Sequence, residues 1–240
     1  MNIYDNLNIG ELLSGNSYPG RGIVIGKSAN GKNAVIAYFI MGRSENSRNR
    51  VFRMKGNDVV TEPFDFDKVT DPSLIIYSAI KGCDNKLIVT NGDQTDTIYK
   101  YVSVGGDFRD SLRTREFEPD TPNFTPRISG MLTFAKENFT YEMSILKSAD
   151  AEGTACNRYF YEYNSLSGVG HFIHTYVTDG NPIPTFQGEP ERVAIPDSID
   201  EFTNSIWENL NDNNKISLYT RYIDLVSGRV ESRLINKNKA

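Results

Sequence analysis

The chain has 240 residues and a formal net charge of −5, and 38% of it is hydrophobic, enough for one sizeable core but without the cationic field that nucleic acid or an anionic membrane selects. Its two cysteines, Cys83 and Cys156, lack C-x-x-C spacing, which argues against a disulfide framework or zinc ribbon and suits reduced thiols in a cytosolic protein. Residues 1–10 carry no basic stretch, and no apolar run approaches the roughly 18 residues of a membrane span, so neither export nor membrane insertion is expected.

Taken in order, Gly22-Ile23-Val24-Ile25-Gly26 and the apolar run 34–40 flank a turn at Asn30-Gly31, which predicts a hairpin. The second run is apolar without alternation and so predicts a central strand covered on both faces. Residues 74–80 and 86–90 predict a second hairpin across Gly82-Cys83-Asp84-Asn85. Residues 95–115 turn helical, with Ile98, Tyr101, Val102, Phe108 and Leu112 three or four apart around a break at Gly105-Gly106. Four strands follow, over 127–134, 140–147, 158–164 and 171–177, and these are assigned together to a second sheet. Ser198-Ile199-Asp200-Glu201 is a capping box opening a helix over 198–211, with Ile199, Phe202, Ile206 and Leu210 on one face. Residues 215–234 supply one or two closing strands around Ser227-Gly228. With no repeat or low-complexity linker, the expectation is one α/β (α+β) domain over residues 1–240, two mainly antiparallel sheets with helices outside.

Three segments could carry chemistry. Residues 42–50 place Arg43, Arg48 and Arg50 beside Ser44, Ser47, Asn46 and Asn49, the mix of guanidinium forks and small donors that phosphate oxygens favour. The same composition suits a solvated basic loop paired with carboxylates. Asn91-Gly92-Asp93-Gln94-Thr95-Asp96 lies at a strand-to-helix junction, where it could floor a polar pocket or serve only as turn and N-cap. Residues 117–127 hold three prolines, a stiff loop with Glu118 and Arg127 at its ends. That pair could transfer a proton and stabilise charge, or could be a structural ion pair closing the loop. His171 and His174 fall on opposite faces of a strand and cannot form paired ligands, so no metal is expected. No serine sits in a G-x-S-x-G elbow, and the first residue is not Cys, Ser or Thr, so covalent catalysis is not expected.

At these segments the chain resembles the archaeal-type IMP cyclohydrolase family and its bacterial relatives. The matching strings are Tyr18-Pro19-Gly20-Arg21-Gly22, Arg43-Ser44 with Arg48-Asn49-Arg50, residues 91–96 as quoted, and Thr125-Pro126-Arg127-Ile128-Ser129-Gly130. Residues from about 180 onward extend beyond the compact archaeal pattern, and the arginine loop reads Met41-Gly42-Arg43-Ser44-Glu45-Asn46-Ser47 where archaeal members carry a serine-rich version. The resemblance implies a four-layer αββα sandwich like that of the N-terminal-nucleophile hydrolases. It also implies closure of 5-formamidoimidazole-4-carboxamide ribotide to IMP without cofactor or metal. On this reading Arg43, Ser44, Arg48 and Asn49 grip the phosphate and ribose, and Tyr77, Asn91 and Asp93 order the base. Arg21, Thr95 and Asp96 complete the substrate-binding set. Glu118 carries the proton, Arg127 faces developing negative charge, and Tyr77 counts with them as catalytic. The partner implied is a small purine ribotide, not nucleic acid or membrane, and families of this kind commonly form homo-oligomers. A purine-nucleotide-binding module without turnover and another purine amidohydrolase on the same fold remain the alternatives.

Overall fold

The computed structural model describes residue 2, residues 4–69 and residues 75–238. In chain order the elements are α1 (Ile9–Ser14), β1 (Arg21–Lys27), β2 (Asn33–Met41), α2 (Glu45–Arg48), β3 (Val51–Lys55), β4 (Asp58–Glu62), β5 (Tyr77–Cys83), β6 (Lys86–Thr90), α3 (Gln94–Val102), α4 (Phe108–Arg113), β7 (Arg127–Ala135), β8 (Asn138–Ser148) and β9 (Cys156–Asn164). They continue with β10 (Val169–His174), β11 (Glu191–Ala194), α5 (Ile199–Asn209), β12 (Lys215–Asp224) and β13 (Val230–Asn236). A six-stranded sheet runs β11-β10-β1-β2-β12-β13 and a seven-stranded sheet runs β3-β4-β5-β6-β7-β8-β9, with neighbours antiparallel throughout.

β2 explains why the sheets stack. Ala34, Ile36, Tyr38 and Ile40 point into the core between the sheets, where they meet Ile128, Leu132 and Met143 of the other sheet. Val35, Ala37, Phe39 and Met41 point the opposite way, into a second core roofed by Leu13 of α1 and Phe202 and Ile206 of α5. A strand serving two cores cannot alternate apolar with polar, hence the unbroken run. Each large side chain so buried contributes about 1.5–3 kcal/mol. A third core lies under α3 and α4 on the outer face of the seven-stranded sheet, around Ile88, Ile98 and Phe108. The layers are therefore helices, sheet, sheet, helices, the expected sandwich.

The expected hairpins, the broken helix pair and the terminal helix are all present. Ser198 caps α5 by accepting from the Glu201 amide at 3.2 Å, and Ile199, Phe202, Ile206 and Leu210 are buried beneath it. Leu74, the expected start of the strand 74–80, lies outside the described residues. The assignment of four strands to one sheet is corrected: β7, β8 and β9 continue the sheet of β5 and β6, while β10 crosses to pair with β1. The crossing follows from what β10 must cover, since Phe172 packs on the outer core of the other sheet. The hairpin of β3 and β4 escaped the sequence reading because Arg53, Lys55, Asp58 and Glu62 break its apolar run.

His171 of β10 faces inward, stacked on Tyr163 with centroids 3.6 Å apart, its Nδ1 2.6 Å from the Tyr141 hydroxyl. Burial, with a smaller push from Arg192, lowers its pKa from 6.5 to about 4. The unfolded chain therefore binds this proton more readily than the folded one, so the stability is complete above about pH 6.5 and is lost as pH falls toward about 4. We expect His171→Gln to flatten the slope of urea midpoint against pH in that window; a slope equal to the parent's would assign the acid sensitivity to carboxylates alone.

Candidate active site

At the end of the sandwich where β1 begins and β2 finishes, the loops 42–50, 117–126 and 175–190 surround a cavity of about 300 Å³. Strand β1 delivers Arg21 to its floor, and the loop ahead of β3 delivers Arg50; both are buried, at 7% and 5% exposure. Arg21 meets Glu118 at 3.5 Å, and Glu118 is itself only 4% exposed. Burial acts most strongly, against the Arg21 cation, but Glu118 together with the hydroxyls of Tyr77, Tyr176 and Tyr38 outweighs it and raises the guanidinium well above its ordinary range. Arg50 is lowered instead, by burial and then by the like charge of Arg21. Among the described residues Arg50 forms no ion pair, and the Nε atoms of both arginines are buried without a hydrogen-bond partner. With Arg21 paired to Glu118 and Arg50 unpaired among the described residues, positive charge faces the cavity, an arrangement that an anion satisfies.

The walls are aromatic and hydroxylic. Tyr18 and Tyr176 stack at 5.8 Å between centroids, and the Tyr176 hydroxyl shares a 2.6 Å hydrogen bond with Thr125, which Asp120 also engages. Arg43 lies over the Tyr18 ring at 5.3 Å and donates to Asp179 and to the Gly180 carbonyl, tying loop 42–50 to loop 175–190. Gly20 makes this possible: it adopts φ +78°, and a Cβ there would lie 2.2 Å from Thr175 Oγ1 and 2.5 Å from the Tyr176 ring. The chain can bring Tyr18 against Tyr176 only with no side chain between them.

Of the residues singled out from sequence, Arg21, Arg43, Ser44 and Glu118 line this cavity. Arg48 turns away, donating to the Gly42 carbonyl at 3.1 Å and to Asn214 at 3.2 Å. Asn49 brackets Asp65, both of its contacts being 2.7 Å. Tyr77 lies beneath the floor, its hydroxyl 2.8 Å from that of Tyr38. Asn91 is fully buried, donating to the Pro126 carbonyl and accepting from the Ile128 and Gln94 amides at 2.8 to 2.9 Å. Thr95 pairs with Thr90 at 2.6 Å, and Asp96 is exposed and pairs with Lys81 at 2.9 Å. Arg127 is held by Asp93 at 2.7 Å and Gln94 at 2.8 Å, and Asp93 also takes Arg115 at 2.6 Å. Burial tends to raise the Asp93 carboxyl, but the two guanidiniums prevail and hold it below its usual range. Glu118 and Arg127 do not pair with each other; both approach Gly92, where a Cβ would stand 2.6 Å from the Arg127 guanidinium and 3.7 Å from Glu118 Oε1. Segment 91–96 thus builds the scaffold directly behind Glu118. Sequence reasoning named Arg50 in the arginine loop and Tyr18 and Thr125 in the matching strings without giving them a role, and it did not single out Tyr176; only the loop packing brings these residues together. Among the described residues no group of three or more His, Cys, Asp and Glu could hold a metal ion.

Residues 18–228 match the family model described as IMP cyclohydrolase-like protein. The chain belongs to that family. It is 36% identical over 121 residues to an IMP cyclohydrolase of Methanococcus maripaludis strain C7, covering 48% of this chain and 58% of that one. It is 34% identical over 128 residues to one of Methanococcus aeolicus, covering 52% and 61%. It is also 34% identical over 119 residues to one of Methanocaldococcus jannaschii, covering 48% and 56%. The chain thus spans less than two thirds of the length of the curated relatives it matches. The family match includes the cavity's Tyr18, Arg21, Arg50, Glu118 and Tyr176, and it extends well past the point near 180 where the sequence resemblance thinned.

Gly20→Ala should destabilise this family member by about 1–3 kcal/mol, from left-handed backbone strain and overpacking together. It should also splay Tyr18 from Tyr176; chemical denaturation and tyrosine fluorescence test both, and an unchanged midpoint would contradict the close approach.

Proposed function

We propose that this chain closes 5-formamidoimidazole-4-carboxamide ribotide to IMP with loss of water. The observation that carries the reading is the buried pair Arg21 and Arg50, of which only Arg21 is matched by the Glu118 carboxylate, in the cavity of an IMP cyclohydrolase-like chain. A ribotide phosphate would answer the uncompensated charge of Arg50 and the Arg43–Ser44 edge. In the reaction the carboxamide nitrogen attacks the formyl carbon and gives up one proton as the C–N bond forms; the formamido nitrogen then gives up its proton as the ring C=N bond forms and the formyl oxygen leaves as water. Glu118 takes the role of proton carrier. Arg21, held against it, stabilises charge developing on the formyl oxygen. Arg127 and Asp93 act from behind Gly92 by fixing the floor. The aromatic walls hold the two reacting groups close together, which supplies much of the acceleration in an intramolecular closure.

On this reading the intramolecular closure runs without metal or cofactor and involves no nucleic acid or membrane surface, and the protein is assigned to the cytosol. No helix among the described residues is long and apolar enough to cross a membrane.

Incubation with the formamido ribotide, followed by detection of IMP, tests the activity, and two variants separate binding from chemistry. Arg50→Ala should chiefly raise KM, by the roughly 1.5–3 kcal/mol of a charge-assisted hydrogen bond, because phosphate contacts are alike in ground and transition states. Glu118→Gln should lower kcat by about 10²- to 10⁴-fold with little change in KM. A Glu118→Gln enzyme with parental kcat would remove Glu118 from the chemistry. IMP binding without turnover in the parent protein would favour a non-catalytic nucleotide-binding module.

A further inference from the structure

His174 and Glu191 stand at the two ends of loop 175–190: His174 is the last residue of β10 and Glu191 the first of β11. The loop between them supplies Tyr176 and Ile183 to the candidate active site, and its Asp179 holds Arg43. His174 is 5% exposed, stacked on Phe172 at 4.7 Å and meeting the edge of Phe186 at 4.5 Å. Its Nδ1 lies 2.7 Å from the Tyr176 carbonyl oxygen. A carbonyl only accepts, so Nδ1 carries a hydrogen. On a neutral imidazole Nε2 is then a bare acceptor, yet it faces Glu191 Oε2 at 3.3 Å, and that oxygen is buried without a hydrogen-bond partner. Two buried acceptors in contact repel unless a proton lies between them. Of the residues lining the adjoining cavity from α1, β10, β11 and the loop, only His174 and Glu191 titrate; the rest offer apolar side chains and the Asn16 and Gln187 amides. From the β1 side the cross-strand neighbour of His174 is Gly22, which has no side chain.

We propose that His174 and Glu191, with a proton held between them, clasp the ends of loop 175–190 and so position Tyr176 and the Arg43 anchor in the candidate active site. His174 is a positioning residue, acting through Tyr176 and not on substrate. The clasp's catalytic consequence rests on the cyclohydrolase reading; the clasp itself does not.

Glu191→Gln discriminates, because the glutamine amide donates to Nε2 with no shared proton and so keeps the clasp. With only two histidines in the chain, the imidazole nitrogens of His174 are assignable by NMR. The experiment follows those nitrogens, the hydrogen-exchange protection of Val177 and Phe186 relative to intrinsic rates, and KM and kcat for the formamido ribotide in the parent and both variants. Glu191→Ala should show a roughly tenfold fall in protection and a similar rise in KM, the size of one charge-assisted hydrogen bond, with kcat less affected. Glu191→Gln should keep both near the parental values. Parental protection in Glu191→Ala, or the same loss in Glu191→Gln as in Glu191→Ala, would overturn the proposal. Absence of turnover with the exchange pattern intact would instead defeat the cyclohydrolase reading and leave the clasp standing.

Discussion

Strand β2 is enclosed on both faces, and the rest of the molecule is arranged around that burial. Its backbone groups have no water to turn to, so neighbours β1 and β12 must satisfy them on either side. Its alternate side chains need a partner layer above and below, which the second sheet and the pair α1 and α5 provide. Because β1 and β2 are antiparallel, the start of one and the end of the other lie together, and Arg21 and the loop beginning at Gly42 emerge at the same end of the sandwich. The cavity sits where these deeply buried strands run out.

Rigidity matters there because the floor is electrostatically costly. A guanidinium removed from water is tolerated when paired, and Arg21 has Glu118 to pair with. Arg50 has the repulsion of Arg21 and no carboxylate of its own among the described residues. Such a floor keeps its shape only because the packing around it holds both guanidiniums in place. The contrast with Arg127 is instructive. Arg127 is as buried as Arg21, yet Asp93 and Gln94 occupy its fork, which makes it a support for the site and not a free contact.

Loop 175–190 joins the outer core of the six-stranded sheet to the cavity. Tyr176 reaches the site, while the ring of His174, two residues earlier, is packed with Phe172 against the outer core. The wall of the pocket, with Tyr18, Tyr176 and Ile183, is therefore continuous with the core beneath α1 and α5.

Much of this was legible in the order of residues. The uninterrupted run 34–40 disclosed a doubly covered strand, Ser198 with its apolar series disclosed α5, and the arginine, asparagine-glycine and threonine-proline-arginine strings disclosed the family and the neighbourhood of the site. These features are local: capping, periodicity and turn chemistry act within a few residues, so the sequence carries them openly. Which arginine of 43, 48 and 50 turns inward is not local. Arg48 and Arg50 are two residues apart and chemically identical, yet one rests on Asn214 and the other is buried beside Arg21, because the entry of β3 into the far sheet sets their directions. The separation of Glu118 from Arg127, the meeting of Tyr18 with Tyr176 and the transfer of β10 between sheets were likewise decided by tertiary packing. Each brings together groups distant along the chain or chooses between equivalent local options, and only the shape of the assembled core distinguishes those options.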